Sequence, residues 1–380
     1  MPTGKKLKIG ITIAAGADTE GLLWSSAAAQ NVVLLAMTLQ RLPRVEAVYL
    51  VPVPDCLPHP IAETFGLPVA ELAPALDVLD VIIETDARIG QDEPLSRFRA
   101  RGGKLVSFAT ANRMLGNLQE IAHGLSRGDS LPAHGYDMAW VRPQHWHMSH
   151  SYVRMLVCPH IAKAPVIWDP VFARHRATVT RRIPFWRAPE DGKFTIGCFD
   201  ANNDVTKTFH FPLMVAECAF RKQPEGINRL LLFNGLQLGT AEHLTELAAA
   251  FDIGQAPGKL SLEGRHPLID MLGTEVHAVV THQWEDDVSH SNFETLYFGW
   301  PLVHNSTTLR EVGYYYPPFD PIAGGASLLR AMKDHRACHA AQAEALRDVF
   351  WSVSPDNPQV QSEYDRLLVE VLERQGSAVA

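Results

Sequence analysis

The sequence predicts an α/β protein made of two successive sheet-and-helix halves. Three observations carry that expectation. Short apolar runs of strand length alternate with longer stretches of helical periodicity. The alternation pauses at an Arg- and Pro-containing stretch after residue 170 and then resumes. The chain is 380 residues long, more than one ordinary core accommodates.

Residues 8–14 form an apolar run followed by Gly16 and a small, polar stretch to Ser26. From Ala27, Val32, Leu35, Leu39 and Leu42 recur at helical spacing, completing a strand, loop and helix. Residues 45–51 read as the next strand, with Pro52, Pro54 and Pro58 holding the backbone extended after it. Residues 78–84 and 104–108 are further short runs of the kind found in parallel sheets. Leu156 with Val157, then residues 165–168, are expected to supply the last strands of this layer. Residues 170–192 carry Arg174, Arg176, Arg181, Arg182 and Arg187 with little apolar pattern, which reads as an inter-domain connection.

The second series starts with a strand at 194–198 and continues with strands at 230–233, 276–281 and 302–303. Helices are expected at 208–220 and 241–251. Beyond Gly324 and Gly325 the pattern is helical to the end, interrupted at Pro355 and Pro358. The expected division is 1–170, a connection at 171–192, a second domain at 193–325, and closing helices at 326–380.

Composition narrows the function classes. Apolar residues make up 46% and charged residues 20%, a globular balance. The formal net charge of -8 argues against a broadly basic surface for nucleic acid. Five scattered cysteines without a CxxC pair fit a reducing compartment, so the cytoplasm is the expected location. The apolar run after Lys5, Lys6 and Lys8 is too short for a secretion signal, and no stretch reaches the length of a membrane span.

The most informative segment runs from Thr281 to Ser306. A strand ends near Thr281, a polar loop follows, and a helix is expected from Ser291 or Asn292 with Glu294 in its first turn. Gly299 closes that helix and Pro301 leads into the next strand. Ligands of open α/β sheets bind at the carboxyl ends of strands, where this loop must lie. Free N–H groups at the helix start suit a phosphate, and Glu294 can accept hydrogen bonds from sugar hydroxyls. The plain alternative is a helix-start acid favoured by the dipole.

The stretch Glu294-Thr-Leu-Tyr-Phe-Gly-Trp-Pro301-Leu resembles the E-A-L-A-x-G-x-P-V segment of nucleotide-sugar glycosyltransferases with two Rossmann-like domains, the GT-B architecture. Asp286, eight positions earlier, stands where many retaining members carry another acid. The resemblance implies two Rossmann-like domains facing across a cleft, with C-terminal helices crossing back to the first. It implies ribose contacts for Glu294 and a place near the donor sugar for Asp286. Asp287-Val288-Ser289, His290 and Asn292 depart from the usual Gly-Phe-Gly between the two acids.

The loop after the strand at 194–198 holds Asn202, Asn203 and Lys207. In the resembled family this loop supplies a cation to the diphosphate, which implies that role for Lys207; a solvent-facing lysine is the alternative. Asn203, like Asn202, reads equally as a turn residue or a ligand contact. Ser291 and Asn292 join Glu294 and Lys207 as candidate donor contacts. The Gly16 loop, with Trp24, Ser25 and Ser26, is implied to approach the acceptor in the first domain, although core packing for Trp24 and helix capping for Ser25 explain them as well. His145 and His147 alternate as they would on one face of a strand. Of His134, His145, His147 and His150, His147 is the candidate catalytic base.

No D-x-D, P-loop or H-E-x-x-H motif is present, so no metal and no cofactor are expected beyond a nucleoside-diphosphate sugar as co-substrate. The resemblance implies an acceptor that is a glycan, lipid-linked group, protein or small molecule, with nucleic acid disfavoured by charge though not excluded. Sugar-nucleotide epimerisation or hydrolysis, a non-catalytic binding role and base modification of DNA are the rival readings. Taken whole, the chain also resembles an uncharacterised bacterial family of similar length, through stretches such as Phe199-Asp-Ala-Asn-Asn-Asp-Val-Thr-Lys207 and Gly313-Tyr-Tyr-Tyr-Pro317.

Overall fold

The computed structural model describes residues 5–14, 27–54, 64–90, 93–122, 124, 134–182, 184–238 and 242–374. Gly16, Trp24, Ser25 and Ser26 lie outside the described residues. The chain divides into two compact units, Met1–Asp169 with Trp351–Ala380, and Pro170–Phe350. Each is a Rossmann-like α/β layer around a parallel sheet.

The first unit's strands are β1 (Leu7–Ala14), β2 (Val45–Val53), β3 (Val81–Glu84), β4 (Lys104–Phe108), β5 (Met138–Val141) and β6 (Ile161–Lys163), in the order β2-β1-β3-β4-β5-β6. All neighbours are parallel. The central strands are buried on both faces, which is why they read as unbroken apolar runs rather than alternating ones. The expected final strands are corrected here. Leu156 ends the helix Pro143–Leu156 and residues 165–168 have no regular structure, while the strands at that side are β5 and β6. His145 and His147 lie in that same helix, where a two-residue spacing turns side chains to opposite sides; His145 is buried and His147 exposed.

The terminal segment completes this unit. Trp168 N donates to Val353 O at 2.8 Å, and the Tyr364 hydroxyl, in the helix Pro358–Glu373, donates to Pro165 O at 2.8 Å. The Tyr364 ring meets Trp140 edge-on with centroids 5.9 Å apart. Arg44 forks onto Asp365 of the same helix. The expected return of the chain from residue 326 begins only at Trp351.

The second unit holds β7 (Phe194–Cys198), β8 (Ile227–Leu232), β9 (Leu260–Leu262), β10 (Ala278–Val280), β11 (Leu302–His304) and β12 (Tyr314–Tyr315), ordered β12-β11-β10-β7-β8-β9. The winding reverses between β7 and β10, and the crevice beyond the carboxyl ends at such a reversal is where open α/β sheets take ligands. The arginine-rich stretch expected as a connection packs within this unit. It contains the helix Val171–Val179, whose Arg176 Nε donates to Asp270 Oδ1 at 3.0 Å, and Trp186 Nε1 donates to His277 O at 3.3 Å. Among the described residues no helix is long and apolar enough to cross a membrane.

Two helical segments, His210–Lys222 and Pro321–Ala341, the latter kinked at Asp334, cover one face of the second sheet. They approach closely because Gly325 has no side chain: a Cβ there would stand 2.6 Å from Cys218 Cβ and 3.1 Å from the backbone of Ala219. Gly325→Val should therefore wedge the helices apart and cost about 3 kcal/mol, read as a lowered denaturation midpoint. An unchanged midpoint would show that the pair separates freely.

Candidate functional site

Two loops flank the reversal point, one after β7 and one after β10. They are joined directly: Lys207 bridges Gln283 in antiparallel fashion, and Trp284 N donates to Thr206 O at 2.8 Å. The β7 loop is shaped by Asn202, which adopts φ 54°. Its amide nitrogen donates to the carbonyls of Asp200, Phe233 and Asn234, and its Oδ1 accepts from Phe209 N at 2.8 Å. Asn202 is thus a turn-maker. Asn203 beside it is exposed.

The side chains carried by these loops converge. Lys207 Nζ lies 2.5 Å from Asp286 Oδ2, with both side chains largely covered. Asp200, missed by the motif reading, is buried at the base of the loops. Its carboxylate accepts from Thr281 Oγ1 at 2.6 Å and from His282 N at 3.2 Å. Burial raises the Asp200 pKa to about 6, against the opposing pull of these donors and of Lys207. The signal for Asp200 is a polar residue two positions beyond an apolar strand, in a stretch dominated by turn-forming asparagines.

His282 was also missed. It is buried and stacks on Phe211 with ring centroids 4.3 Å apart, and Phe319, itself half exposed, meets both rings, 5.0 Å from His282 and 5.2 Å from Phe211. The Tyr316 hydroxyl donates to Thr281 O at 3.0 Å, so it is an acceptor for His282 Nδ1, also 3.0 Å away. That fixes the Nδ1–H tautomer and leaves Nε2 as a buried acceptor with no partner among the described residues. Burial lowers the His282 pKa to about 4, so the ring is neutral near neutrality. Tyr316→Phe should orphan the Nδ1–H and lower stability by about 1–2 kcal/mol. Denaturant titration measures that loss, and a ¹⁵N spectrum of His282 should show mixed tautomers; a single unchanged tautomer would refute the arrangement.

The loop after β10 is held to the one after β11. Gln283 N donates to Asn305 Oδ1 at 2.9 Å, and Asn305 Nδ2 returns a bond to Gln283 O at 2.7 Å. Asp287 accepts from the Thr307 amide at 3.0 Å and its hydroxyl at 2.7 Å. From this braced loop the helix His290–Tyr297 departs. It starts one residue before the expected range, which puts Glu294 in the second turn rather than the first. Ser289 takes the N-cap position with extended backbone but forms no side-chain cap; its hydroxyl lies 2.8 Å from that of Ser291. Gly299, at φ 70°, ends the helix in the left-handed conformation that side chains resist.

Asn292 is buried, and neither its Oδ1 nor its Nδ2 has a partner among the described residues. A buried amide with both ends open is costly unless a ligand meets it. Glu294 is partly buried, and desolvation raises its pKa to about 8. The structure therefore brings Lys207, Asp286, Ser291, Asn292 and Glu294 onto two neighbouring loop-helix segments of one unit. His147 belongs to the other unit. Among the described residues no three His, Cys, Asp or Glu side chains are grouped to hold a metal ion.

A family model described as "Protein of unknown function (DUF2827)" matches residues 9–368. Among curated proteins, none matches the sequence. Solved structures do resemble the fold. HepE of Anabaena, in complex with UDP-glucose, matches with a TM-score of 0.55 at 11% identity, covering 95% of this chain and 100% of its own. A glycosyltransferase from Rickettsia africae matches with a TM-score of 0.53 at 10% identity, covering 98% and 100%. Sucrose-phosphate synthase from Thermosynechococcus elongatus matches with a TM-score of 0.55 at 12% identity, covering 97% and 100%. At these identities the likeness shows the fold, two Rossmann-like units of the GT-B architecture.

Proposed function

The chain belongs to the family described as "Protein of unknown function (DUF2827)", and from that membership and this fold we propose that it is a cytoplasmic glycosyltransferase using a nucleoside-diphosphate sugar. The observation that carries the reading is the Lys207–Asp286 pair on loops that flank the winding reversal, beside the helix bearing Glu294. Lys207, with the uncapped start of the helix His290–Tyr297, suits the diphosphate and would stabilise it as it departs. Glu294 suits the ribose hydroxyls, and Asn292 offers an open amide donor and acceptor alongside. Asp286 takes the place nearest the donor sugar, and its pairing with Glu294 favours transfer without inversion. The acceptor is assigned to the first unit, with exposed His147 as the candidate proton acceptor. No step in this scheme calls for a metal.

The HepE structure holds UDP-glucose, so UDP-linked sugars head the panel that tests the reading. Thermal melts of the full chain with nucleoside diphosphates and their sugars should give a saturable rise with at least one base. A ligand at about 100 times its Kd adds roughly 2.7 kcal/mol. Product analysis with donor alone then separates transfer from epimerisation or hydrolysis, since transfer leaves the sugar unchanged without an acceptor. A panel without any stabilising nucleotide would overturn the proposal.

A further inference from the structure

The arginine-rich stretch that packs within the second unit also lines a groove there. His277 and Trp300 stand in its wall just before β10 and β11. The groove therefore opens at the amino ends of those strands, whereas the donor loops leave their carboxyl ends. It holds about 350 Å³, within the range of small-molecule sites.

The wall is built and held. Pro184 and Pro189 stiffen the loop between them, and two indoles pin it: Trp300 Nε1 donates to Pro184 O, and Trp186 Nε1 donates to His277 O at 3.3 Å. Trp300 and Leu272 are buried and give the groove an apolar side. Phe185, between the two pinning points, keeps 67% of its surface exposed and makes no ring contact among the described residues. A large aromatic displayed on a fixed loop is available for contact without rearrangement.

The polar groups of the groove are mostly donors. Arg182 and Arg187 are exposed, and neither guanidinium forms a hydrogen bond or ion pair among the described residues. Thr195 N donates to His277 Nδ1 at 3.1 Å, which places the ring proton on Nε2. Burial lowers the His277 pKa against the opposing pull of Asp191, so the ring is neutral near pH 7 and offers a ligand its Nε2–H. Among the described residues Glu190 is the one carboxylate of the lining. Asp191 accepts from Lys193 N at 2.9 Å, and Glu275 pairs with Arg229.

We propose that this groove is a second ligand site, taking a phosphate monoester with an apolar body. A phosphate of charge about −2 with three terminal oxygens matches two guanidinia and an imidazole N–H. A carboxylate, with one charge and two oxygens, leaves a cation unmatched. The apolar body lies against Phe185 and the side formed by Trp300 and Leu272. The site does not rest on the glycosyltransferase reading, since its groups are separate from Lys207, Asp286 and Glu294.

Calorimetric titration of the full chain with phenyl phosphate, at constant ionic strength and with chloride as the balancing salt, should give saturable one-site binding. Inorganic phosphate, which lacks the ring, and benzoate, which lacks the second charge, should each bind at least about tenfold more weakly. Arg182→Gln combined with Arg187→Gln should weaken phenyl phosphate at least about tenfold, and lysine at both positions should keep part of the binding. Phe185→Ala should weaken phenyl phosphate and leave inorganic phosphate unchanged, while Glu190→Gln should strengthen both. These four side chains are exposed, so the variants should keep the melting temperature of the wild type. An excess of UDP should leave phenyl phosphate binding as it is. Absence of saturable binding, equal affinity in the double arginine variant, or benzoate as tight as phenyl phosphate overturns the site. Displacement by UDP puts phenyl phosphate in the donor crevice and overturns it as well. A protein that binds phenyl phosphate through the two arginines but takes no nucleotide overturns the donor reading and leaves this site standing.

Discussion

Replacing Lys207 by methionine should weaken nucleoside-diphosphate binding by about 100-fold with little change in the melting temperature of the free protein. The size follows from charge-assisted hydrogen bonds to phosphate, worth about 1.5–3 kcal/mol. The variant also leaves the Asp286 carboxylate, now 2.5 Å from Lys207, facing an anionic ligand without its cation. The fold is spared because the loop is held by main-chain bonds that the substitution keeps: Asn202 N to Lys207 O at 2.9 Å and the bridge to Gln283. Calorimetric titration measures the affinity. A double variant with Asp286→Asn should recover part of the loss, as expected for coupled neighbours. A change below threefold in Lys207→Met would remove Lys207 from the donor site.

Glu294→Gln should have opposite effects on stability and on binding. In the unfolded chain this carboxyl ionises near 4.5, whereas in the fold burial holds it protonated up to about 8. Between those values the folded state binds the extra proton, so its contribution to stability falls as pH rises from 4.5 to 8. A displaced pKa unit corresponds to about 1.4 kcal/mol, and partial exposure trims the total to roughly 3 kcal/mol by pH 8. Glutamine removes that slope. The variant should match the wild type near pH 5 and exceed it at pH 8, as melting curves at the two values would show. Ribose hydroxyls donating to the carboxylate favour its ionised form, so nucleotide binding near pH 7 should release a proton. Titration calorimetry in buffers of different ionisation enthalpy detects that proton. In Glu294→Gln the release should vanish and affinity should fall about tenfold. Equal proton release in both proteins would place the ribose elsewhere.

Much of the architecture was readable where burial is uniform. The strand β4 is a five-residue run buried throughout, and sequence pattern and structure agree on its bounds. The strands β5 and β6 were not readable, for definable reasons. β5 is four residues long and β6 three, too short to establish a period. The histidines beyond β5 imitated strand alternation, although Pro143 at the helix start and buried His145, Ser149 and Val153 at four-residue intervals carried the true helical signal. At the candidate site, Glu294 and Asp286 could be picked out because their spacing resembles a known segment, and Lys207 because it stands in the loop after the first strand of the second series. Asp200, His282 and Tyr316 could not, since their roles come from strands and loops far apart in sequence: Thr281 bonds Asp200, and Tyr316 bonds both Thr281 and His282.

The first unit is discontinuous in the chain, and this has a consequence for how the protein is made. As the polypeptide leaves the ribosome, residues Pro170–Phe350 are complete before the last helix of the earlier layer exists. Until Tyr364 has emerged, Trp140 lacks one of its aromatic neighbours and Pro165 O lacks its hydroxyl donor. The later-encoded half can therefore reach its native packing while the earlier-encoded half still waits, reversing the usual N-to-C order of domain maturation during translation.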